Sequence, residues 1–120
     1  MSAARGRARR GAPILRLVFA AVFGVAFAAA SEGGDAAAGR TKARICATCH
    51  GPLGVSRMPG TPHLAGQPAI YIAAQLRAFR SGQRRHEQMN VVAKALSDAD
   101  IEDLAAWFES IEVSANEPAR

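Results

Sequence analysis

The sequence predicts a small all-α domain of three to four helices joined by long loops. Three stretches carry apolar side chains at the spacing of one helix face, and none offers a convincing strand. The segment 51–66 holds four glycines and three prolines, a composition that cannot continue a helix. The fold class is therefore helical, with irregular chain between the helices.

The first predicted helix starts at Asp35 and runs into the cysteine pair of the chain. Aspartate is a favourable N-cap, and the alanines that follow propagate a helix well. Gly39 and Ala43 lie four residues apart, so they share a face that carries little bulk. A glycine inside a helix costs about 1 kcal/mol relative to alanine. We therefore expect another helix to cross closely there; a tolerated glycine near a frayed end is the alternative.

The second predicted helix begins at Gln67-Pro68, with proline in its first position, and ends near Gly82. Its apolar stripe consists of Ile72, Leu76 and Phe79. These residues follow one another at intervals of three and four, as one buried helix face requires.

The third predicted helix begins at Ser97, a favourable N-cap with Asp100 three residues further on. Apolar residues continue at helical spacing as far as Ile111. The segment between the second and third helices, from Gln83 to about Val91, is expected to be a loop.

The chemistry of the chain is concentrated in Cys46-Ala47-Thr48-Cys49-His50, which contains its only two cysteines. Two cysteines at this spacing, followed at once by histidine, are the attachment signature of a c-type haem. Each thiol can add across one vinyl group of the porphyrin. The same turn then carries the histidine beneath the ring, where an imidazole nitrogen can bind the iron. The motif therefore predicts one covalently attached haem, heme c.

Two other kinds of site could use a Cys-x-x-Cys pair. A thioredoxin-like redox couple needs an α/β frame, and the sequence offers no convincing strand for one. A zinc site needs a second ligand pair, and the remaining histidines, His63 and His86, stand apart. The haem interpretation is favoured over both.

Residues 1–30 have the three-part organisation of a secretory signal peptide. Four arginines and no acid lie within residues 1–10, an apolar run follows from Ile14 to Ala30, and it ends in small residues. Cleavage after Ala28 or Ala30 would fit. An uncleaved anchor is the alternative, but the run is short for a membrane span. We expect cleavage, export to the periplasm of a Gram-negative bacterium and no membrane span in the mature chain.

Removal of this segment changes the charge of the chain. The sequence holds 15 Lys and Arg against 10 Asp and Glu, a net charge of +5. Five of the basic residues lie within 1–30 and every acidic one lies after it, so the mature chain is neutral. The basic excess gives no indication of nucleic-acid binding, which we reject. The mature chain is divided into a flexible lead-in (31–34), one domain (35–113) and a polar tail (114–120).

Four segments of the sequence can be compared with known protein families. They are Cys46–Gly51, Pro62–Gln67, Gln75–Gly82, and Met89 together with Leu96–Ile101. Together they resemble the small bacterial class I cytochromes c over nearly the whole mature chain, and most closely one domain of the two-haem periplasmic cytochromes c. The resemblance implies the class I cytochrome c fold, with helices and loops wrapped around the haem. One haem is expected because one attachment motif is present.

The resemblance also implies roles for individual residues. Cys46 and Cys49 would form the thioethers, and His50 would be the proximal ligand of the iron. Pro62 would offer its carbonyl oxygen to the other ring nitrogen of the histidine, which fixes the tautomer. Leu64 would pack on the haem.

The second axial ligand of the iron has four candidates in the mature chain, namely Met58, His63, His86 and Met89. Met89 is favoured because thirty-nine residues separate it from His50, enough for the middle helix to cross to the other side of the ring. The resemblance places the family's distal sulfur ligand at the same residue. Met58 is expected to serve in loop packing, and His86 is the main competitor.

The expected coordination determines the expected function. Iron with both axial positions filled leaves no site for oxygen or substrate, and a thioether ligand favours ferrous iron. We therefore expect an electron-transfer protein and not an enzyme. Its partners would be a membrane complex or dehydrogenase as donor and an oxidase or reductase as acceptor. Two alternatives stay open: the haem subunit of a stable dehydrogenase complex, and a haem sensor or peroxidase that loses its distal ligand.

A basic segment near Met89 suggests how a partner would dock. Four arginines lie within residues 77–85 without an acid, whereas acids crowd the last helix. We expect a strong charge asymmetry, with the basic end facing an acidic partner. A solvated helix end whose arginines suit the helix dipole is the alternative.

Overall fold

The computed structural model describes residues 33–116, which form helices and loops without a strand. The helices are α1 (Ala36–Lys42), α2 (Ala47–His50), α3 (Ala69–Ser81), α4 (Glu87–Lys94) and α5 (Asp98–Glu109). The all-α prediction is confirmed. The predicted signal peptide lies outside the described residues. No helix between residues 33 and 116 is long and apolar enough to cross a membrane.

The first predicted helix is divided in two. Asp35 caps α1 as expected, since its carboxylate accepts the N–H groups of Ala37 and Ala38 at 2.8 and 3.3 Å. The helix ends at Lys42, and a tight turn follows in which the Cys46 N–H donates to the carbonyl of Ala43, three residues earlier. The motif therefore starts a separate helical turn, α2.

The predicted ends of the second and third helices are close to the observed ends of α3 and α5. Gly82 ends α3 with a φ of +81°, the left-handed conformation that glycine adopts without steric cost. Pro68 is the N-cap of α3 and not its first residue. Ser97 and Asp100 form a reciprocal capping box at the start of α5.

The segment predicted as a loop from Gln83 to about Val91 contains most of a helix, and this prediction is wrong. His86 is the N-cap of α4, and its Nδ1 accepts the Met89 N–H at 3.4 Å. Glu87 in the first turn suits the positive end of the helix dipole. Histidine is not among the residues whose side chains usually cap helices, so the start of α4 carried no recognisable signal.

The close crossing expected at Gly39 lies between α1 and α5. A Cβ atom at Gly39 would stand 1.9 Å from the carbonyl oxygen of Asp103. Gly34, assigned to the lead-in, also packs against α5, because a Cβ there would stand 2.1 Å from the backbone of Glu102. Lys42 joins the two helices by ion pairs to Asp103 (2.5 Å) and Asp100 (2.8 Å).

The core lies where α1, α3 and α5 meet. Its buried members are Ala43, Ile72, Ala73, Ile101, Leu104, Ala105 and Phe108. Ile101 and Leu104 are the largest fully buried side chains among the described residues. No α4 residue belongs to this cluster, and α4 packs on α3.

Ion pairs between α3 and α5 reduce the expected separation of basic and acidic charge. Within the basic segment 77–85, Arg77 pairs with Glu102, and Arg80 pairs with Asp98 at 2.5 Å. These two arginines therefore neutralise acids of α5 across the helix interface. Arg84 and Arg85 make no ion pair among the described residues, so a basic end near Met89 stays a prediction.

Candidate functional site

The two cysteines lie on the single turn α2. Cys46 is its N-cap, is half-buried and packs against the core, whereas Cys49 is exposed. Burial raises the pKa of the Cys46 thiol, so that side chain stays protonated at neutral pH. Both thiols are free, and they stand three residues apart on one turn.

His50 ends the same turn and is 7% exposed. Its Nδ1 lies 2.9 Å from the carbonyl oxygen of Pro62, the contact that the resemblance implied. A carbonyl can only accept, so Nδ1 donates to it, and in the neutral imidazole Nε2 then presents a lone pair. The side chain is thus fixed in the tautomer that binds a metal through Nε2.

Ser56 fixes the loop that brings Pro62 to the histidine. Its buried hydroxyl donates to the Cys49 carbonyl oxygen at 3.0 Å and accepts the Met58 N–H at 3.0 Å. Its own N–H donates to Nδ1 of His63 at 2.9 Å. The sequence analysis missed this residue, because a lone serine in a glycine-rich and proline-rich loop has no distinguishing pattern.

Other candidates occupy the same loop. Leu64 is half-buried against the core, and its N–H donates to the Gly54 carbonyl at 2.7 Å. His63 and Met58 are both exposed, and both are bound through Ser56 to the segment that carries Pro62. They therefore belong to the His50 part of the molecule.

Met89 lies in another part of the fold, in the first turn of α4, and is half-buried. His86, the competing candidate, is committed to capping this helix through Nδ1. Its ring also packs edge-on against Phe79, with 6.5 Å between ring centroids. The structure thus brings Cys46, Cys49 and His50 together and places Met89 on a separate element.

The residues present fit a covalently attached porphyrin. Two free thiols stand on one turn with an imidazole whose lone pair is available, which is the donor set that such a group needs. Large apolar side chains on the segments around this turn are about half-exposed or more, as a large apolar ligand requires. They are Ile45 (64%), Leu53 (55%), Val55 (49%) and Met58 (48%).

Comparisons with known proteins agree with this site. The family model described as "Cytochrome c" matches residues 36–112. Cytochrome c4 of Pseudomonas aeruginosa is 42% identical over 85 residues, which cover 71% of this chain and 42% of that protein. Cytochrome c-554(548) of Halomonas halodenitrificans is 44% identical over 82 residues, covering 66% of this chain and 99% of that protein. The chain thus spans less than half of the cytochrome c4 and nearly all of the smaller protein.

Solved structures show the same fold. Reduced recombinant cytochrome c4 from Pseudomonas stutzeri superposes with a TM-score of 0.64 at 39% identity, covering 68% of this chain and 47% of that one. Thiosulfate dehydrogenase (TsdBA) from Marichromatium purpuratum gives a TM-score of 0.64 at 37% identity, covering 76% of this chain and 23% of that one. At 39% and 37% identity, both structures resemble this chain in sequence as well as in fold.

Proposed function

The chain belongs to the cytochrome c family, and we propose that it carries single electrons between redox partners in the periplasm. The family implies covalently bound haem c, and the presence of only two cysteines in the sequence supports a single haem. The N-terminal pattern of basic, apolar and small residues supports export. Bound haem supplies a one-electron iron couple, and the protein supplies its ligands and surroundings.

The residues of α2 and the following loop would hold the group on one side. Cys46 and Cys49 would form the two thioethers, and Nε2 of His50 would bind the iron. Pro62 holds the imidazole in one orientation and makes Nε2 more basic by accepting from Nδ1. Leu64 would pack on the ring. The hydrogen bond between His50 and Pro62 is the single observation that best supports this proposal.

Met89 would provide the second axial ligand from α4. A thioether is a soft, neutral ligand that stabilises ferrous iron relative to ferric iron, so it would raise the reduction potential. Two protein ligands that are fixed in both oxidation states leave little rearrangement for electron transfer. They also leave no open position for substrate, which supports a carrier and not an enzyme.

The distal ligand is tested by removing each methionine in turn. In Met89→Ala we expect the weak far-red sulfur-to-iron band of the oxidised protein to disappear. The reduced protein should then bind carbon monoxide, and the reduction potential should fall, because a neutral soft ligand has been lost. Visible spectroscopy and potentiometry of the purified haem-loaded protein measure all three properties.

Met58→Ala is the matched control, because it removes the same side chain from the His50 part of the molecule. It should leave the band and the inertness to carbon monoxide intact. If the two variants exchange these results, Met58 is the ligand. A wild type that never shows the band would transfer the assignment to His86.

A second function is supported by the similarity to thiosulfate dehydrogenase (TsdBA), in which a domain like this one occupies about a quarter of the chain. The chain would then be the haem subunit of a larger dehydrogenase and would accept its electrons within a stable complex. Gel filtration of the native protein from periplasmic extract separates the two functions. A free carrier elutes near its own mass, whereas a subunit elutes with a larger partner.

A further inference from the structure

Asn90 connects the start of α4 to the end of α3 through three hydrogen bonds of one side chain. Its Oδ1 accepts the His86 N–H at 2.7 Å, and its Nδ2 donates to the carbonyl oxygens of Phe79 (2.6 Å) and Arg84 (2.8 Å). The orientation of the amide is determined by its partners, because one is a donor and two are acceptors. One side chain therefore holds three backbone positions together.

These three positions lie at the end of α3, in the connecting segment and at the start of α4. Phe79 lies in the last turn of α3, where its carbonyl oxygen also accepts the Gly82 N–H at 3.2 Å, and Arg84 lies in the connecting segment. His86 is the N-cap of α4, and its N–H precedes the helical ladder. The Asn90 side chain thus links the ends of both helices and the segment between them.

Met89 lies within this arrangement. Its N–H is capped by His86, and the next residue along the chain is Asn90. We propose that Asn90 is the positioning residue for Met89, which keeps the first turn of α4 in place so that the thioether sulfur stays on the iron. The inference rests on the proposed function, because it assumes that Met89 is the distal ligand.

The rest of α4 has one buried residue, Ala93, which offers only a small side chain to hold the helix in place. Within the described residues α4 packs on α3, and none of its side chains joins the main core cluster. Val91 on the following turn is 71% exposed. Segments with few buried apolar contacts open locally at lower free energy than the fold as a whole. Loss of the Asn90 contacts should therefore release α4 while α1, α3 and α5 remain folded.

The test compares Asn90→Ala with wild type as haem-loaded proteins. Three hydrogen bonds contribute enough to change the population of an opened α4 by at least about tenfold. We expect the reduced variant to bind carbon monoxide at least about tenfold faster than wild type, because binding requires that the sulfur leave the iron. In a urea titration of the oxidised variant, the sulfur-to-iron band should be lost before the far-ultraviolet helical signal.

Two further variants separate positioning from general stability. Gln88→Ala is the matched control, since Gln88 is an exposed neighbour in the same helical turn, and it should match wild type in both measurements. Asn90→Asp keeps the acceptor for the His86 N–H but presents carboxylate oxygens to two carbonyl groups. It should release the sulfur at least as readily as Asn90→Ala.

Each remaining outcome decides the question. The proposal is wrong if Asn90→Ala loses the sulfur-to-iron band and the helical signal together and binds carbon monoxide no faster than wild type. Failure of both Asn90 variants to fold would overturn it too, because Asn90 would then support the whole fold. If wild type has no sulfur-to-iron band, the distal ligand itself is wrong. If Met89→Ala removes the band and Asn90→Ala changes neither measurement, only the positioning role fails.

Discussion

Two regions of the molecule hold their functional residues by different means. The attachment region, residues 36–66, contains α1, α2 and the following loop and packs through Gly39 on the backbone of α5. The α4 region, residues 82–96, packs on α3 and depends on polar contacts of the Asn90 side chain. His50 is buried in the first region, whereas Met89 is half-buried in the second.

Of the two proposed ligands, Met89 lies on the less constrained element. In the attachment region, backbone-to-backbone packing and a network through Ser56 constrain the imidazole from several directions. In the α4 region, a short helix packs on α3 with one buried residue, Ala93, and the Asn90 amide joins its first turn to the end of α3. Local opening of α4 should therefore leave the attachment region folded. The proposed distal ligand can then move without loss of the covalent attachment.

The largest effect should follow from removing the attachment itself. Cys46→Ser combined with Cys49→Ser leaves about ninety residues with a thin core, which chains of this size seldom stabilise without a cross-link or a bound group. We expect a largely unfolded, protease-sensitive chain. Near-ultraviolet circular dichroism measures the loss of packing. A cooperatively folded protein without haem would show that the α1–α5 crossing is sufficient alone.

The next largest effect should come from the crossing in the attachment region. In Gly39→Ala the new Cβ would overlap the Asp103 carbonyl oxygen, so α1 must move away from α5. Overpacking of this kind costs about 3 kcal/mol. We expect that decrease in the free energy of unfolding by urea titration. Gly33→Ala is the matched control, because a Cβ there meets nothing within 4 Å, and equal stability of the two variants would contradict the crossing.

A smaller effect sharpens the comparison between the two regions. Ser56→Ala leaves the Met58 N–H and the Cys49 carbonyl oxygen without their partner, at a cost of about 1–2 kcal/mol. Urea titration should show this loss, while the sulfur-to-iron band persists until the whole protein unfolds. Early loss of the band in Ser56→Ala would mean that the two regions are coupled.

The sequence was most informative where local chemistry determines structure. Asp35, Ser97 and Gly82 predicted helix ends correctly because capping depends on the residue itself and its near neighbours. A close helix crossing at Gly39 was predictable because a glycine within a helix calls for a steric reason. The glycine predicted a close crossing, but it did not predict that the contact is with the carbonyl oxygen of Asp103.

The sequence was least informative where a structure depends on contacts between distant segments. The α4 helix was missed because its N-cap is a histidine and its N-terminus is fixed by Asn90, whose partners lie up to eleven residues away. The pairing of Arg80 with Asp98 was not predicted, because it requires knowledge of how α3 meets α5. Such contacts follow from tertiary packing, which no local pattern encodes.

The smallest predicted effect concerns the ion pairs between α1 and α5 in acid. Hydrogen bonds from the Lys42 ammonium lower the pKa of Asp100 and of Asp103, and Ser97 lowers that of Asp100 further. A carboxylate with a lowered pKa stabilises the fold above its unfolded pKa of about 3.9, and this contribution is lost as the pH falls through the folded value. The pKa of Lys42 is raised, so its contribution is present at neutral pH and is lost only above about 10.5.

Lys42→Met should therefore make the loss of stability in acid shallower. Asp100 and Asp103 should both move towards their ordinary pKa, although Asp100 keeps the hydrogen bonds from Ser97 and Asp103 keeps the one from the Asp35 N–H. Urea titrations between about pH 2 and 7 measure the slope, which reports the difference in bound protons between the unfolded and folded states. Lys94→Met removes the same charge from α4, where no ion pair is present within the described residues, and should retain the wild-type slope. Parallel acid profiles for the two variants would mean that the Lys42 pairs are too exposed to contribute, and the contact between α1 and α5 would then depend on the close packing at Gly39.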